Sequence, residues 1–231
     1  ATTLTAALAI GLQYYFGHSL AKQSATRLYG ATSANITSEL INRSNTNRTT
    51  IELLAENPLL ADPADYQQRL QIFTQVLENN PLFYGLYLGH ADGSFFELVN
   101  LDSNETARRA LRALPGDRWL LISVDDTESG RTRQFRYMDA NLNVRLVHDE
   151  PTDFDPTRRP WYIDAMASTT LASSEPYLFA QLGVPGTTIS KRVSGTDTVV
   201  AADMTLSSIS GFLAAQDPAS SSEIYLYNGD G

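Results

Sequence analysis

The chain has 231 residues, of which 42% are hydrophobic and 19% charged, so it holds enough apolar material for a packed core and too little charge for a disordered tail. Its 26 acidic residues outnumber its 17 basic residues, and the net charge of −9 argues against nucleic acid as a partner. The absence of cysteine excludes disulfide scaffolds, thiolate metal sites and thiol nucleophiles.

The N-terminal segment is apolar and uncharged. Residues 1–21 contain no Asp, Glu, Lys or Arg, and Gln13, Tyr14 and Tyr15 follow the apolar stretch where an aromatic interface belt would lie. A complete membrane span needs about 20 apolar residues, so we expect residues 1–18 to be a truncated transmembrane helix. A buried core helix and a secretory signal peptide are the alternatives.

The next segment, residues 19–56, is predicted to be one long polar helix. It has no proline, Gly30 is its only glycine, and leucine and isoleucine recur at helical spacing. A rod of this length needs a partner surface, so we expect it to form the contact of a homodimer.

After Asn57-Pro58 the pattern changes to a second helix and then to strands. Asp62-Pro63 caps a helix that ends before Pro81, and short helices are expected from Ser103 to Leu114 and from Pro160. An amphipathic piece, 206–214, precedes an Asp-Pro boundary, and SEIYLYNGDG at the end predicts one more strand and a turn. The close spacing of the strands favours an antiparallel sheet, with strands expected at 83–88, 95–101, 119–124, 132–138, 144–148, 176–182, 187–193 and 198–204.

Motifs of catalysis are missing from the sequence. There is no Gly-rich phosphate loop, no His-Glu-x-x-His and no G-x-S-x-G elbow, and the three histidines are dispersed. The paired carboxylates fall in polar connections, where solvated loop charge is the simpler interpretation. We therefore predict no enzyme activity, no metal site and no cofactor.

The most specific stretch is DFDPTRRPWYIDA at residues 153–165. Asp155-Pro156 predicts a turn and Pro160 a helix start, which places Arg159, Trp161 and Tyr162 together on the opening turn. In the alternative interpretation Trp161 fills the core and the arginines pair with nearby aspartates on the surface.

Two later strands carry further candidate residues. Side chains alternate along a strand, so Tyr177 shares a face with Phe179, and Asp203 shares one with Val199 and Ala201. A carboxylate on an apolar strand face is unfavourable unless it meets a cation or several donors. The alternatives for Asp203 are an edge position or a pair with an arginine.

Together these segments resemble the double Cache family, the extracytoplasmic PAS-like sensor domains of bacterial chemoreceptors, histidine kinases and nucleotide cyclases. The resemblance is carried by DPTRRPWYIDA at 155–165, EPYLFAQLGVPGTTISKRV at 175–193 and VVAADMTLSSISGFL at 199–213. It implies an α+β fold with a long N-terminal helix and a PAS-like antiparallel sheet domain. It also implies a membrane-distal ligand-binding domain at 57–214 and the start of a membrane-proximal PAS-like subdomain at 215–231.

The resemblance also implies a ligand site. Arg159, Trp161, Tyr162, Tyr177 and Asp203 match positions of the family's amino-acid-binding subset, whereas Phe154 stands where that subset has a tyrosine. Arg159, with the Trp161 and Tyr162 donors, would hold a carboxylate, and Asp203 would receive an ammonium group.

The resulting hypothesis is a sensor domain on the outer face of a bacterial inner membrane. It binds a small polar metabolite, foremost an amino acid or a related amine or carboxylate, and relays occupancy across the membrane. The alternatives are a ligand-free structural or protein-interaction module and a hydrolase that uses Asp203 and Arg159. The output, whether chemotaxis, histidine kinase or cyclase, is left open.

Overall fold

The computed structural model describes residues 30, 34–62, 66–103, 105–128, 130–179 and 182–209. The predicted membrane segment 1–18 and the predicted subdomain 215–231 lie outside these residues. Asn45–Ala215 is one compact unit, and it contains the whole sheet. Within the described ranges, no helix combines the length and the apolar character needed to cross a membrane.

The described chain folds into α-helices and nine β-strands, which confirms the α+β class, and residues 206–209 are helical in addition to the helices named below. Helix α1 covers residues 34–55, and α2, α3 and α4 are Tyr66–Asn79, Glu105–Ala110 and Pro160–Ala167. The strands are β1 Gly85–Gly89, β2 Phe95–Asn100, β3 Trp119–Thr127, β4 Gly130–Met138, β5 Val144–Pro151, β6 Ala172–Ser173, β7 Tyr177–Phe179, β8 Val184–Arg192 and β9 Val199–Thr205.

All described strands pair antiparallel in one sheet of order β5-β4-β3-β2-β1-β9-β8-β6, and β7 pairs with β8. The central strand β1 lies between β2, its hairpin partner, and β9, which comes more than 100 residues later. Gly85 pairs with Asp203 on β9, and Tyr87 pairs with Glu97 on β2. Because paired residues point to the same face, this register sets which side chains can meet.

One face of the sheet is covered by α2 and by the end of α1, residues 45–55. The apolar stripe of α2 spaces Leu70, Phe73 and Leu77 three and four residues apart, as an amphipathic helix requires. These side chains pack with the buried end of α1 and with Leu86 and Leu98 of the sheet. This helix-covered face carries the largest part of the core.

The other face is covered only in part, by α4 and by the loops around β7. Trp161 and Ala165 of α4 pack on Tyr87 of β1 and Val199 of β9. A separate cluster beside them includes Phe179 of β7. The space between these two clusters forms a cleft over the centre of the sheet.

Several element boundaries differ from the sequence prediction; strands β3 and β5, for example, end three residues later than expected, at Thr127 and Pro151. Helix α3 ends at Ala110 rather than near Leu114, because Arg112 adopts a left-handed φ of 53° that breaks the helix. Strand β7 ends at Phe179, where a turn follows with Gly183 at φ 64°. Strand β8 starts at Val184, three residues earlier than expected.

Candidate functional site

A cleft of about 490 Å³ lies on the partly covered face of the sheet. Strands β1, β2 and β9 supply its floor, and β4, β7 and the segment leading into α4 supply its walls. Five of the predicted site residues line it, namely Phe154, Arg159, Trp161, Tyr177 and Asp203. The fold thus brings together residues from three distant stretches of sequence, and their role in binding stays a prediction.

Asp203 anchors one end of the cleft. Its strand, β9, lies between β1 and β8, so the edge position considered from the sequence does not apply. The Oδ1 atom accepts hydrogen bonds from the Tyr87 hydroxyl at 2.7 Å and the Thr188 hydroxyl at 2.5 Å. Burial raises the pKa of Asp203 to about 6, and the two hydrogen bonds limit that rise. The second carboxylate oxygen accepts no hydrogen bond from a described residue.

Tyr177 extends this network from β7. Its hydroxyl lies 2.8 Å from the Thr188 hydroxyl, and because Thr188 gives its own hydrogen to Asp203, Tyr177 is the donor in this contact. Burial, followed by the nearby charge of Asp203, raises the pKa of Tyr177 to about 12. The phenol therefore stays protonated and keeps Thr188 oriented toward the carboxylate.

The start of α4 is built as the sequence predicts. Asp155 accepts a hydrogen bond from the Thr157 backbone N–H at 2.9 Å and so caps a short 3-10 turn. Pro160 then occupies the first position of α4, where its missing N–H is harmless. Arg159 and Trp161 flank this proline and both line the cleft.

Trp161 fills the core and lines the cleft at the same time. Its side chain is largely buried, and its ring centroid lies 4.9 Å from that of Tyr87 in an edge-to-face arrangement. The ring lies directly over Gly89, where a Cβ atom would come within 2.6 Å of the indole. Because the indole packs so closely on β1, only glycine fits at this position of the strand.

Arg159 provides a positive charge at the mouth of the cleft. It is exposed, its guanidinium lies 4.7 Å from the centre of the Phe154 ring, and it makes no ion pair with any described residue. A second guanidinium, that of Arg133 on β4, lies 5.5 Å from the same ring and pairs with Glu150 at 3.4 Å. Phe154 thus supplies an aromatic face to both cations.

The position of Tyr162 corrects the sequence prediction. Its hydroxyl donates to the backbone carbonyl of Asp197 at 2.6 Å, and its ring packs among buried residues outside the cleft lining. One helical step separates Trp161 from Tyr162 and turns the two side chains in different directions. The Tyr162 hydroxyl therefore holds a loop and is not presented to the cleft.

The sequence analysis did not identify two charged residues of the cleft, Glu97 and Arg133. Glu97 on β2 is only 7% exposed and lines the cleft beside Asp203. Burial and the charge of Asp203 raise the pKa of Glu97 to about 8, whereas Arg133 acts in the opposite direction. The reasoning applied to Asp203 could have found Glu97, because it too shares a strand face with apolar residues, Phe95 and Val99.

The cleft combines groups that complement an ionic small molecule. Carboxyls, guanidiniums and aromatic rings all contribute to its lining. Among the residues that the structure describes, no group of three or more His, Asp or Glu side chains is arranged to hold a metal ion.

Comparisons with known proteins yield one curated relative and a set of solved structures. No family model matches the chain. The chain is 30% identical over 166 residues to "Adenylate cyclase 1" of Rhizobium meliloti (strain 1021), a match that covers 71% of this chain and 25% of that protein. The chain thus spans about a quarter of the length of this relative.

The solved structures that resemble the chain include two chemoreceptor ligand-binding domains. That of Pseudomonas fluorescens CtaA in complex with L-alanine is 22% identical, with a TM-score of 0.45, and the match covers 80% of this chain and 60% of that chain. That of Pseudomonas aeruginosa PAO1 PctB in complex with L-Gln is 21% identical, with a TM-score of 0.47, and the match covers 81% and 58%. At this level of similarity the function of the cleft has to be argued from its own residues.

Proposed function

We propose that this domain is a sensor that binds a small polar metabolite carrying both an amine and a carboxylate, foremost an amino acid. The observation that supports this most directly is that Arg159 and Asp203 line the same cleft. Each brings a charge for which the described residues provide no ion-pair partner. A zwitterion supplies both missing partners at once.

The chemistry of each group fits one end of such a ligand. The Arg159 guanidinium can form two parallel charge-assisted hydrogen bonds to a carboxylate, and the Trp161 indole N–H, which donates to no described residue, is a further donor. The free oxygen of Asp203 accepts from the ammonium group. Tyr177 and Phe154 also line the cleft, and an ammonium against an aromatic face gains about 0.5–2 kcal/mol.

Signalling follows if the ligand favours one of two arrangements of the cleft. The Arg159–Trp161 segment and strand β9 belong to different elements, so a ligand that contacts both favours their closed arrangement. Occupancy biases the receptor only to the extent that the ligand binds the two arrangements with different affinity. We place the domain outside the inner membrane of a bacterium, dimeric through residues 19–56, and the adenylate cyclase relative supports a nucleotide cyclase as the first output to test.

The proposal can be tested by thermal shift and titration calorimetry of the purified chain. A panel of L-amino acids, amines and organic acids is screened on the wild type, Asp203→Asn and Arg159→Gln. Arg158→Gln and Asp164→Asn serve as matched controls, because both residues lie next to or within α4 but outside the cleft lining. A ligand at 100 times its Kd should raise the free energy of unfolding by about 2.7 kcal/mol.

Binding of an amino acid that weakens at least about tenfold in both cleft variants, and not in the controls, would support the sensor. A panel without any stabilising compound would contradict it and favour the interaction module. Turnover of a bound compound would contradict it in favour of an enzyme.

A further inference from the structure

Glu97 is a buried carboxyl without a partner. It is 7% exposed, it accepts no hydrogen bond, and it forms no ion pair with any described residue. Buried carboxyls are ordinarily paired or hydrogen-bonded, because an unpaired charge in a low-dielectric site is strongly unfavourable. Its side chain lines the cleft rather than the core. The missing partner is therefore to be sought in the cleft.

The carboxyl of Glu97 points toward Asp203. A Cβ atom built on Gly85 would lie 3.0 Å from Glu97 Oε1, so the side chain reaches over the backbone of β1 at this glycine. Gly85 in turn pairs directly with Asp203 on β9. Because Cβ atoms of directly opposite residues are about 5 Å apart, the two carboxyls flank one backbone position that carries no side chain.

The charges that face Glu97 leave an excess of negative charge when it is ionised. Asp203 faces it from β9 and Arg133 from β4, and Tyr84 and Tyr177 face it as neutral phenols. Arg133 is already paired with Glu150. Asp203 pairs with the ammonium group of a neutral zwitterion and Arg159 with its carboxylate. An ionised Glu97 then has no charge partner unless the ligand carries a second positive group.

We infer that Glu97 and Asp203 form an amine subsite over Gly85 that selects ligands with a net positive charge, basic amino acids in particular, over neutral zwitterions. This inference rests on the proposed function and narrows it to a ligand class. Glu97 acts as the specificity residue, because it is the group whose charge a neutral amino acid leaves unmatched. Gly85 acts by leaving the space over β1 that the Glu97 carboxyl occupies beside Asp203.

Two pairs of nearly isosteric ligands isolate the extra charge. L-Arginine and L-citrulline differ in the guanidinium, and L-lysine and L-norleucine differ in the terminal ammonium. For the wild type we expect each cationic member to bind at least about tenfold more tightly than its neutral counterpart by titration calorimetry at pH 7.5. In Glu97→Gln the ratio should fall to within about threefold, with the affinity for L-citrulline nearly unchanged.

Two further variants test whether the effect of Glu97→Gln depends on the location of the lost charge and on the space beside it. Glu78→Gln removes an exposed carboxylate of α2, on the helix-covered side of the sheet, and should leave both ratios unchanged. Gly85→Ala keeps the charge of Glu97 but fills the space beside its carboxyl, and should reduce the ratio at least about threefold. Circular dichroism and thermal unfolding establish that each variant is folded.

The outcomes distinguish this inference from the proposed function. Neutral amino acids that bind as tightly as their cationic counterparts, or a ratio that Glu97→Gln and Gly85→Ala both leave unchanged, would overturn the selection for cations and leave the sensor intact. If none of the four compounds and no member of the wider panel binds, the proposed function fails and this inference fails with it.

Discussion

The substitution Glu97→Gln should make the unliganded protein more stable, and the gain should grow with pH. The pKa of Glu97 rises from 4.5 to about 8 in the folded protein, foremost because burial disfavours the ionised form. At about 1.4 kcal/mol for each pKa unit, ionising this carboxyl is less favourable in the folded than in the unfolded chain by about 5 kcal/mol. Glutamine has nearly the same shape and avoids this unfavourable ionisation.

The direction follows from proton binding. Between pH 4.5 and about 8 the folded protein holds the Glu97 proton more tightly than the unfolded chain does, so the free energy of unfolding of the wild type falls as pH rises. The difference between Glu97→Gln and the wild type should be near zero at pH 4, about 2 kcal/mol at pH 6 and about 5 kcal/mol at pH 9. Groups that do not interact with Glu97 contribute equally to both proteins and cancel in the difference, whereas Asp203, whose charge raises the pKa of Glu97, also contributes to it.

Urea unfolding at several pH values measures this difference. With a slope of about 3 kcal/mol per molar urea, a gain of about 5 kcal/mol raises the midpoint by roughly 1.7 M. Glu78→Gln is the control for loss of a carboxylate that stays in water. A difference that does not change between pH 4 and pH 9, or a Glu97→Gln variant that is less stable throughout, would show that the Glu97 carboxyl is not buried without a partner.

Two further substitutions test a close contact of the cleft-lining Trp161 and an ion pair outside the cleft lining. Gly89→Ala places a methyl group about 2.6 Å from the Trp161 ring, so it should destabilise the protein by about 1–3 kcal/mol and shift the tryptophan emission, as measured by urea unfolding followed by fluorescence. Asp117 accepts two hydrogen bonds of 2.6 Å from Arg145, and these bonds hold the pKa of Asp117 below its usual value. Asp117→Asn weakens both hydrogen bonds and should lower the free energy of unfolding by about 2 kcal/mol at pH 7. That deficit should shrink as pH falls below about 4, from the ordinary pKa of aspartate through the lower pKa of Asp117 in the folded protein, and a deficit independent of pH in calorimetric unfolding would contradict the role of its charge.

The elements with a clear period could be predicted from the sequence. The stripe of Leu70, Phe73 and Leu77 predicts α2, and the Asp155-Pro156 and Pro160 signals predict the start of α4 because capping and proline act over a few residues. Sequence alone could not show that β1 lies between β2 and β9. That pairing joins residues far apart in the chain, and no local preference encodes it.

A candidate site residue can be recognised in the sequence when its chemistry conflicts with that of its neighbours on the same strand face. Asp203 was found as a carboxylate on an apolar strand face, and the same argument, applied to Glu97 between Phe95 and Val99 on its face of β2, would have found that residue as well. Tyr162 was misplaced because its partner is a backbone carbonyl, that of Asp197, which no side-chain pattern reveals. A contact to a backbone carbonyl 35 residues away is set by the tertiary fold, whereas a local cap follows from residue type.

The buried carboxyls connect stability to the proposed signal. In the unliganded protein Glu97 remains neutral, or its ionisation lowers the free energy of unfolding. Asp203 accepts hydrogen bonds from two hydroxyls and does not pair with a cation among the described residues. A ligand that brings positive charge removes this penalty only where it touches both carboxyls, over Gly85. Because the closed cleft desolvates these groups more than an open one, the same ligand gains more from closure than a neutral analogue does. Selectivity for the ligand and the bias toward the closed arrangement would then have one electrostatic origin, and Glu97→Gln should weaken both together.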